Sequence, residues 1–106
     1  MSKFMRVMVF FDLPVSTKEE RRLATKFRQF LLDDGYHMLQ FSVYARLCHS
    51  VENAESHFMR LAREAPKEGS IRCMIVTEKQ YAGMRLIAGK KSPDERPAEY
   101  IQLSFL

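Results

Sequence analysis
The sequence predicts an α+β domain assembled from two strand–helix–strand units, and three observations carry that prediction. Apolar residues recur at a period of two in residues 4–11, 36–47 and 70–77, and at a helical period in the stretches between them. Each helical stretch opens near a serine able to cap it, Ser16 and Ser50. At 106 residues the chain has the length of a single domain.

Residues 4–11, FMRVMVFF, are rich in strand formers. Met5, Val7, Val9 and Phe11 share one face, and Phe4, Arg6, Met8 and Phe10 share the other. Nearly every position is apolar, so both faces are expected to be covered and the strand to be central in its sheet. Asp12-Leu13-Pro14 ends it. Ser16-Thr-Lys-Glu19 then reads as a capping box. The helix that follows puts Leu23, Phe27, Phe30 and Leu31 on one stripe, with Lys18, Arg21, Arg22, Lys26 and Arg28 mostly off it. Asp34-Gly35 stops the helix, Gly35 being suited to a left-handed closing position.

Residues 36–47, YHMLQFSVYARL, alternate and predict one long strand. Leu39, Phe41, Val43, Ala45 and Leu47 form its buried face, and Met38, Gln40, Ser42, Tyr44 and Arg46 a mixed face suited to a partner chain. Ser50 caps a second helix over 51–65, with Val51, Ala54, Phe58, Leu61, Ala62 and Ala65 on its apolar side. Residues 66–69 are a turn, and 70–77 a third strand with Ile71, Cys73 and Ile75 in phase. Residues 80–88 fit a short strand or a helical turn. Residues 89–99, GKKSPDERPAE, are polar with two prolines and predict a flexible connector. Residues 100–105 alternate again and predict a final short strand.

Counting 80–88 as a strand completes the order β-α-β-β-α-β, which is ferredoxin-like, with an extra C-terminal strand. Residues 1–88 would form that domain, and 89–106 the connector and terminal strand. Both helices of such a fold cover one face of an antiparallel sheet. The other face needs a cover, and a second copy of the chain is the simplest one.

The bulk numbers exclude several classes. The chain is 46% hydrophobic and 28% charged, a globular balance and not a disordered one. No apolar run is long enough to cross a bilayer, and the apolar N-terminus reads as a strand because Arg6 interrupts it and no cleavage site follows. No membrane association is therefore expected. Cys48 and Cys73 make no metal-ligand spacing and read as buried free thiols, which fits a cytoplasmic location. A net charge of +4 makes an anionic partner reasonable without specifying it.

Few residues carry chemistry. Asp12 ends an apolar strand directly before a turn and a helix, where a carboxylate can bind a hard cation or activate water. A turn aspartate that hydrogen-bonds the next backbone amides is the commoner case, and the residues alone favour it. One Asp is also too few ligands for magnesium inside one chain, although a two-fold axis can bring two Asp12 side chains together. His37, His49 and His57 share no zinc spacing and read as surface or satisfied core histidines. There is no phosphate loop and no Ser/His/Asp signature. Lys18, Arg21, Arg22, Lys26 and Arg28 are either a solvated helix face or a track for phosphates. No aromatic pattern of the RNP type appears, which disfavours RNA recognition by base stacking.

Taken together, FFDLP at Asp12, Arg21-Arg22-Leu23, residues 30–36 FLLDDGY and residues 39–44 LQFSVY resemble the CRISPR-associated Cas-two family. These are small spacer-acquisition proteins found beside the CRISPR integrase and also described as endoribonucleases. The motifs span about residues 5–47, and the element order continues the likeness beyond them. The resemblance implies a ferredoxin-like homodimer in which Asp12 of each subunit meets at the interface and can hold Mg2+. It implies the CRISPR integrase (Cas-one family) as partner, with duplex prespacer DNA lying across both. The basic helix face just after the Asp12 turn makes Lys18, Arg21 and Arg22 the expected contacts of such a duplex, met once in each subunit. It leaves two function classes open: a scaffold for DNA and integrase, or a metal-dependent endoribonuclease or deoxyribonuclease with Asp12 as its catalytic residue and RNA among its substrates. The scaffold is the preferred role, because one carboxylate per chain is a sparse catalytic kit. A ferredoxin-like regulatory domain that binds a small ligand is the third reading, and the lack of a metabolite motif counts against it.

Overall fold
A computed structural model describes residues 3–99 and 101. Its elements are β1 (Met5–Asp12), α1 (Lys18–Asp33), β2 (His37–Gln40), β3 (Val43–Cys48), α2 (Val51–Glu64), β4 (Ser70–Thr77) and a short α3 (Glu78–Ala82). The sheet order is β2-β3-β1-β4, with every neighbouring pair antiparallel. This is the expected ferredoxin-like arrangement, with β1 central.

β1 divides its residues as the alternation predicts. Val7, Val9 and Phe11 pack against Phe27 and Leu31 of α1 and Ala54 and Leu61 of α2, so both long helices cover one face. Met8 faces the other way, with Ala45, Val76 and Tyr81. Leu31 is fully buried in the helix-covered core, and trimming it to Ala would cost about 2–5 kcal/mol.

The ends of α1 show how local chemistry sets the chain path. Its N-cap is Thr17, one residue later than expected, with Thr17 Oγ1 accepting from the Glu20 N–H at 3.1 Å and Glu20 Oε1 accepting from the Thr17 N–H at 2.9 Å. The tandem pairs Ser16/Glu19 and Thr17/Glu20 both satisfy the capping pattern, and the second register frees Glu19. At the other end, Tyr36 N–H donates to Leu31 O at 2.9 Å and Gly35 N–H to Leu32 O at 3.1 Å, a Schellman closure with Gly35 at φ 91°. A Cβ on Gly35 would sit 3.0 Å from Arg46 Nε, which donates to the Asp34 carbonyl at 2.7 Å. Gly35 therefore serves the turn and makes room for Arg46.

Three expectations are corrected. The single strand over 36–47 is a hairpin, β2 and β3, broken at Phe41-Ser42 where Ser42 adopts φ 66°. The break, and not a strand at 80–88, supplies the fourth strand of the sheet. It also changes the faces: Tyr44 lies in the helix-covered core and Phe41 is 76% exposed at the turn. Of the two readings of 80–88 the helical turn is the one found, not the strand counted in the element order: residues 78–82 form α3, capped reciprocally by Thr77 and Gln80. Residues 89–99 are not a free connector. They contain a 3-10 turn at Pro93–Glu95, and Ala98 is fully buried. The expected strand over 100–105 falls outside the described residues except at Ile101, whose N–H donates to Pro97 O at 3.3 Å, a helical spacing.

Candidate nucleic-acid interface
Asp12 is the last residue of β1, exposed at the C-terminal end of the central strand. Its backbone is fixed by pairing with Ser70 of β4. Gly69, at φ 96°, lies so close that a Cβ there would meet the Asp12 carbonyl oxygen at 2.8 Å. The Asp12 carboxylate makes no hydrogen bond or ion pair among the described residues, so the turn-capping role favoured by the sequence is not the one it plays here. An exposed, unengaged carboxylate is a hard oxygen donor, the ligand type magnesium prefers. No group of three or more His, Cys, Asp or Glu side chains gathers into a metal site among the described residues. Among the described residues Asp12 is therefore not part of a cluster large enough to hold a metal by itself.

Lys18, Arg21 and Arg22 lie with Thr25, Lys26 and Gln29 along a shallow concavity on the outer face of α1. Their spacings of three and four residues put them on one helix face. The three cations predicted as contacts are not equivalent. Arg22 forks onto Glu19, Nε to Oε2 at 2.9 Å and Nη2 to Oε1 at 2.6 Å. That hydrogen bond holds the Glu19 carboxyl below its ordinary range and raises Arg22. Both side chains are well exposed, so the pair contributes little to stability. It does offset the Arg22 charge. Arg21 donates Nη1 to the Val15 and Ser16 carbonyls at 3.1 and 3.2 Å, steadying the loop between Asp12 and the helix while keeping its other donors. Lys18 and Lys26 have no carboxylate partner among the described residues.

A further cation, Arg28, sits at the Asp12 end of the sheet. Arg28 lays its guanidinium over the Phe41 ring at 4.3 Å and the Phe11 ring at 4.9 Å, and donates Nη2 to Ser42 Oγ at 2.9 Å. Ser42 O in turn accepts the Phe11 N–H at 3.1 Å, tying the β2–β3 turn to β1 one residue before Asp12. In the sequence Arg28 is one member of the basic run and Phe41 a core residue. The signal that separates them is the interrupted alternation at Phe41-Ser42.

His57 is a satisfied core histidine, its Nδ1 bonded to Asp34 Oδ2 at 2.9 Å, and Arg60 reaches Asp34 Oδ1 at 2.7 Å. Cys48 and Cys73 are free thiols; burial pushes both up, Cys73 to about 11. A cleft of about 700 Å³ between α1 and residues 63–68 has Leu23, Phe27 and Phe30 in its wall. Four carboxylates and three cations are mixed around it with no convergent donor set. No helix among the described residues is long and apolar enough to cross a membrane.

Comparison with known proteins bears directly on this arrangement. The family model described as "CRISPR associated protein Cas2" matches residues 5–84. A CRISPR-associated endoribonuclease Cas2 of Acidovorax ebreus is 48% identical over 101 residues, covering 95% of this chain and 99% of that protein. One of Flavobacterium psychrophilum is 46% identical over 98 residues, covering 92% and 85%. One of Campylobacter jejuni is 46% identical over 87 residues, covering 82% and 61%.

Proposed function
The chain belongs to the CRISPR-associated Cas2 family, and from that premise we propose that it acts in CRISPR adaptation as a homodimeric scaffold. It binds duplex prespacer DNA along α1 and bridges subunits of the CRISPR integrase. The observation that carries this reading is the face of α1, where Lys18, Arg21 and Lys26 line one concavity with no carboxylate bonded to them among the described residues. Cations on one helix face bind phosphates without regard to base sequence, which suits a protein that must accept any fragment. In a two-fold dimer the stripe occurs twice, and one duplex can meet both copies. The sheet face opposite the two long helices supports pairing. Met74 lies half-exposed there beside buried Met8, next to a cleft lined by Phe10, Leu39, Val43 and Leu86.

A metal-dependent endonuclease is the second reading, and the relatives' name and the unengaged Asp12 carboxylate favour it. Magnesium would need Asp12 from each of two copies. Bound there, it would supply Lewis-acid stabilisation of a phosphate and a more acidic water. This chain's own contribution would be to place the phosphate: Lys18 and Arg21 as donors, Asp12 fixed by the β1–β4 pairing.

The test is cleavage of RNA and of DNA by the wild type and by Asp12→Asn, with and without a chelator, beside binding of the integrase. Metal-dependent cleavage lost in Asp12→Asn supports the second reading. Integrase and duplex binding retained by both proteins, without cleavage, supports the scaffold alone.

A further inference from the structure
We propose that Phe41 is a stacking platform for one unpaired nucleobase, placed at the Asp12 end of the sheet by Arg28. The inference deepens the nucleic-acid reading above and rests on it.

Phe41 is 76% exposed, against 41% for Phe58, the other exposed phenylalanine among the described residues. Phe41 is nonetheless held in place. The guanidinium of Arg28 covers one face at 4.3 Å, and Arg28 is anchored in turn by Ser42 Oγ at 2.9 Å and by the Phe11 ring. A guanidinium can cover one face of a ring, so the exposure belongs to the other. The ring is thus presented to solvent with little freedom left to lose on binding.

Charge identifies the occupant. Arg28 has no carboxylate partner among the described residues. An aromatic face beside an uncompensated cation suits a nucleotide, the base on the ring and the phosphate near the guanidinium. A base inside a duplex is already stacked on both sides, so the platform selects unpaired nucleotides. Its place follows from the Phe11 N–H to Ser42 O bond: Asp12 and Phe41 each lie one residue beyond it, on adjoining chain segments. A nucleotide held on Phe41 would therefore bring its backbone to the carboxylate end of β1, while the α1 stripe is free to hold paired DNA.

The experiment uses the full chain, with single-stranded RNA and single-stranded DNA oligonucleotides carrying 2-aminopurine, and a duplex of the same sequence. Wild type should quench the 2-aminopurine on binding a single strand. Phe41→Leu should abolish the quenching and weaken single-strand binding about ten-fold, with duplex affinity and thermal midpoint unchanged. Phe41→Tyr should restore both. Comparison of the RNA and DNA arms identifies which strand the platform prefers. Unchanged single-strand affinity in Phe41→Leu overturns the proposal while leaving the scaffold reading standing. A Phe41→Leu protein that loses its oligomeric state overturns it too, because the ring would then be a protein contact. Failure of wild type to bind either single strands or duplex overturns this proposal and the nucleic-acid reading together.

Discussion
Arg6 and Glu78 form a buried two-pronged ion pair on the sheet face opposite α1 and α2, Nε to Oε2 at 2.8 Å and Nη2 to Oε1 at 3.0 Å. Arg6 comes from the central strand and Glu78 opens α3. The pair also holds the C-terminal segment. Arg6 Nη2 donates to Arg96 O at 3.0 Å, Glu78 Oε1 accepts the Ala98 N–H at 3.0 Å, and Tyr81 lies against the guanidinium at 4.2 Å. A charge on an apolar strand is thereby turned into the attachment point for residues 96–98.

Removing one member of this pair strands the other in the sheet. Glu78→Ala should lower unfolding free energy by about 3–5 kcal/mol, and the double change Arg6→Met, Glu78→Leu should recover most of it. Urea denaturation of the three proteins checks this. A Glu78→Ala protein within about 1 kcal/mol of wild type, close to the smallest difference such curves resolve, would mean the pair contributes nothing net.

His37 sits on the same face, opposite Ala45. Burial, with Arg6 adding to it and Asp94 and Glu95 opposing, depresses its pKa below the ordinary 6.5. The unfolded chain then binds the proton more readily than the fold does. Stability is full above about pH 6.5 and falls as pH drops through the depressed value. His37→Gln should flatten that part of the curve. Thermal midpoints from about pH 5 to 8 would show it, and identical slopes in the two proteins would contradict it.

Association is predicted by the half-exposed Met74 and the cleft beside Met8. Light scattering at micromolar concentration should report about twice the 12.5 kDa chain mass. Met74→Lys should shift it toward the monomer. A wild-type monomer throughout the accessible range would remove the symmetric arrangement on which both Asp12 and the doubled α1 stripe depend.

The cations of α1 should differ in their effect on duplex binding. Removing one cation that neutralises a phosphate lowers the salt slope by about 0.9. Lys18→Ala and Arg21→Ala each remove two such cations from the dimer, so each should lower the slope by about twice that and weaken binding at every sequence alike. Arg22→Ala should do less, because Glu19 already holds that guanidinium. Equal reductions of slope at Arg22 and Lys18 would show that the Glu19 fork opens on DNA.

How far the sequence could be read follows from where each signal lies. β1, the Gly35 closure and the Ser50 cap were legible because each is written within a few neighbouring residues. The hairpin was not. Its turn carries Phe41-Ser42, without the Gly or Asn-Gly that normally marks left-handed backbone, and the alternation runs on across it. On α2 the helical stripe pointed to Phe58 as core. The structure buries His57 instead, since Asp34 satisfies its ring, and leaves Phe58 41% exposed. The Arg6–Glu78 pair joins residues 72 apart in sequence, beyond the reach of any local pattern. At the candidate site Asp12 and the basic run were visible as residue types. Which cation is compensated, and that Arg28 belongs with Phe41, depends on tertiary contacts.

The proposed main role of this chain is to hold DNA for the integrase. Integration of a DNA fragment, reconstituted with the integrase and with wild type, the Lys18→Ala/Arg21→Ala double variant or Asp12→Ala, tests it most directly. Integration should fall in the double variant in step with duplex affinity and survive Asp12→Ala. Loss of integration in an Asp12→Ala protein that is still dimeric and still bound to the integrase, with the double variant unimpaired, would contradict it.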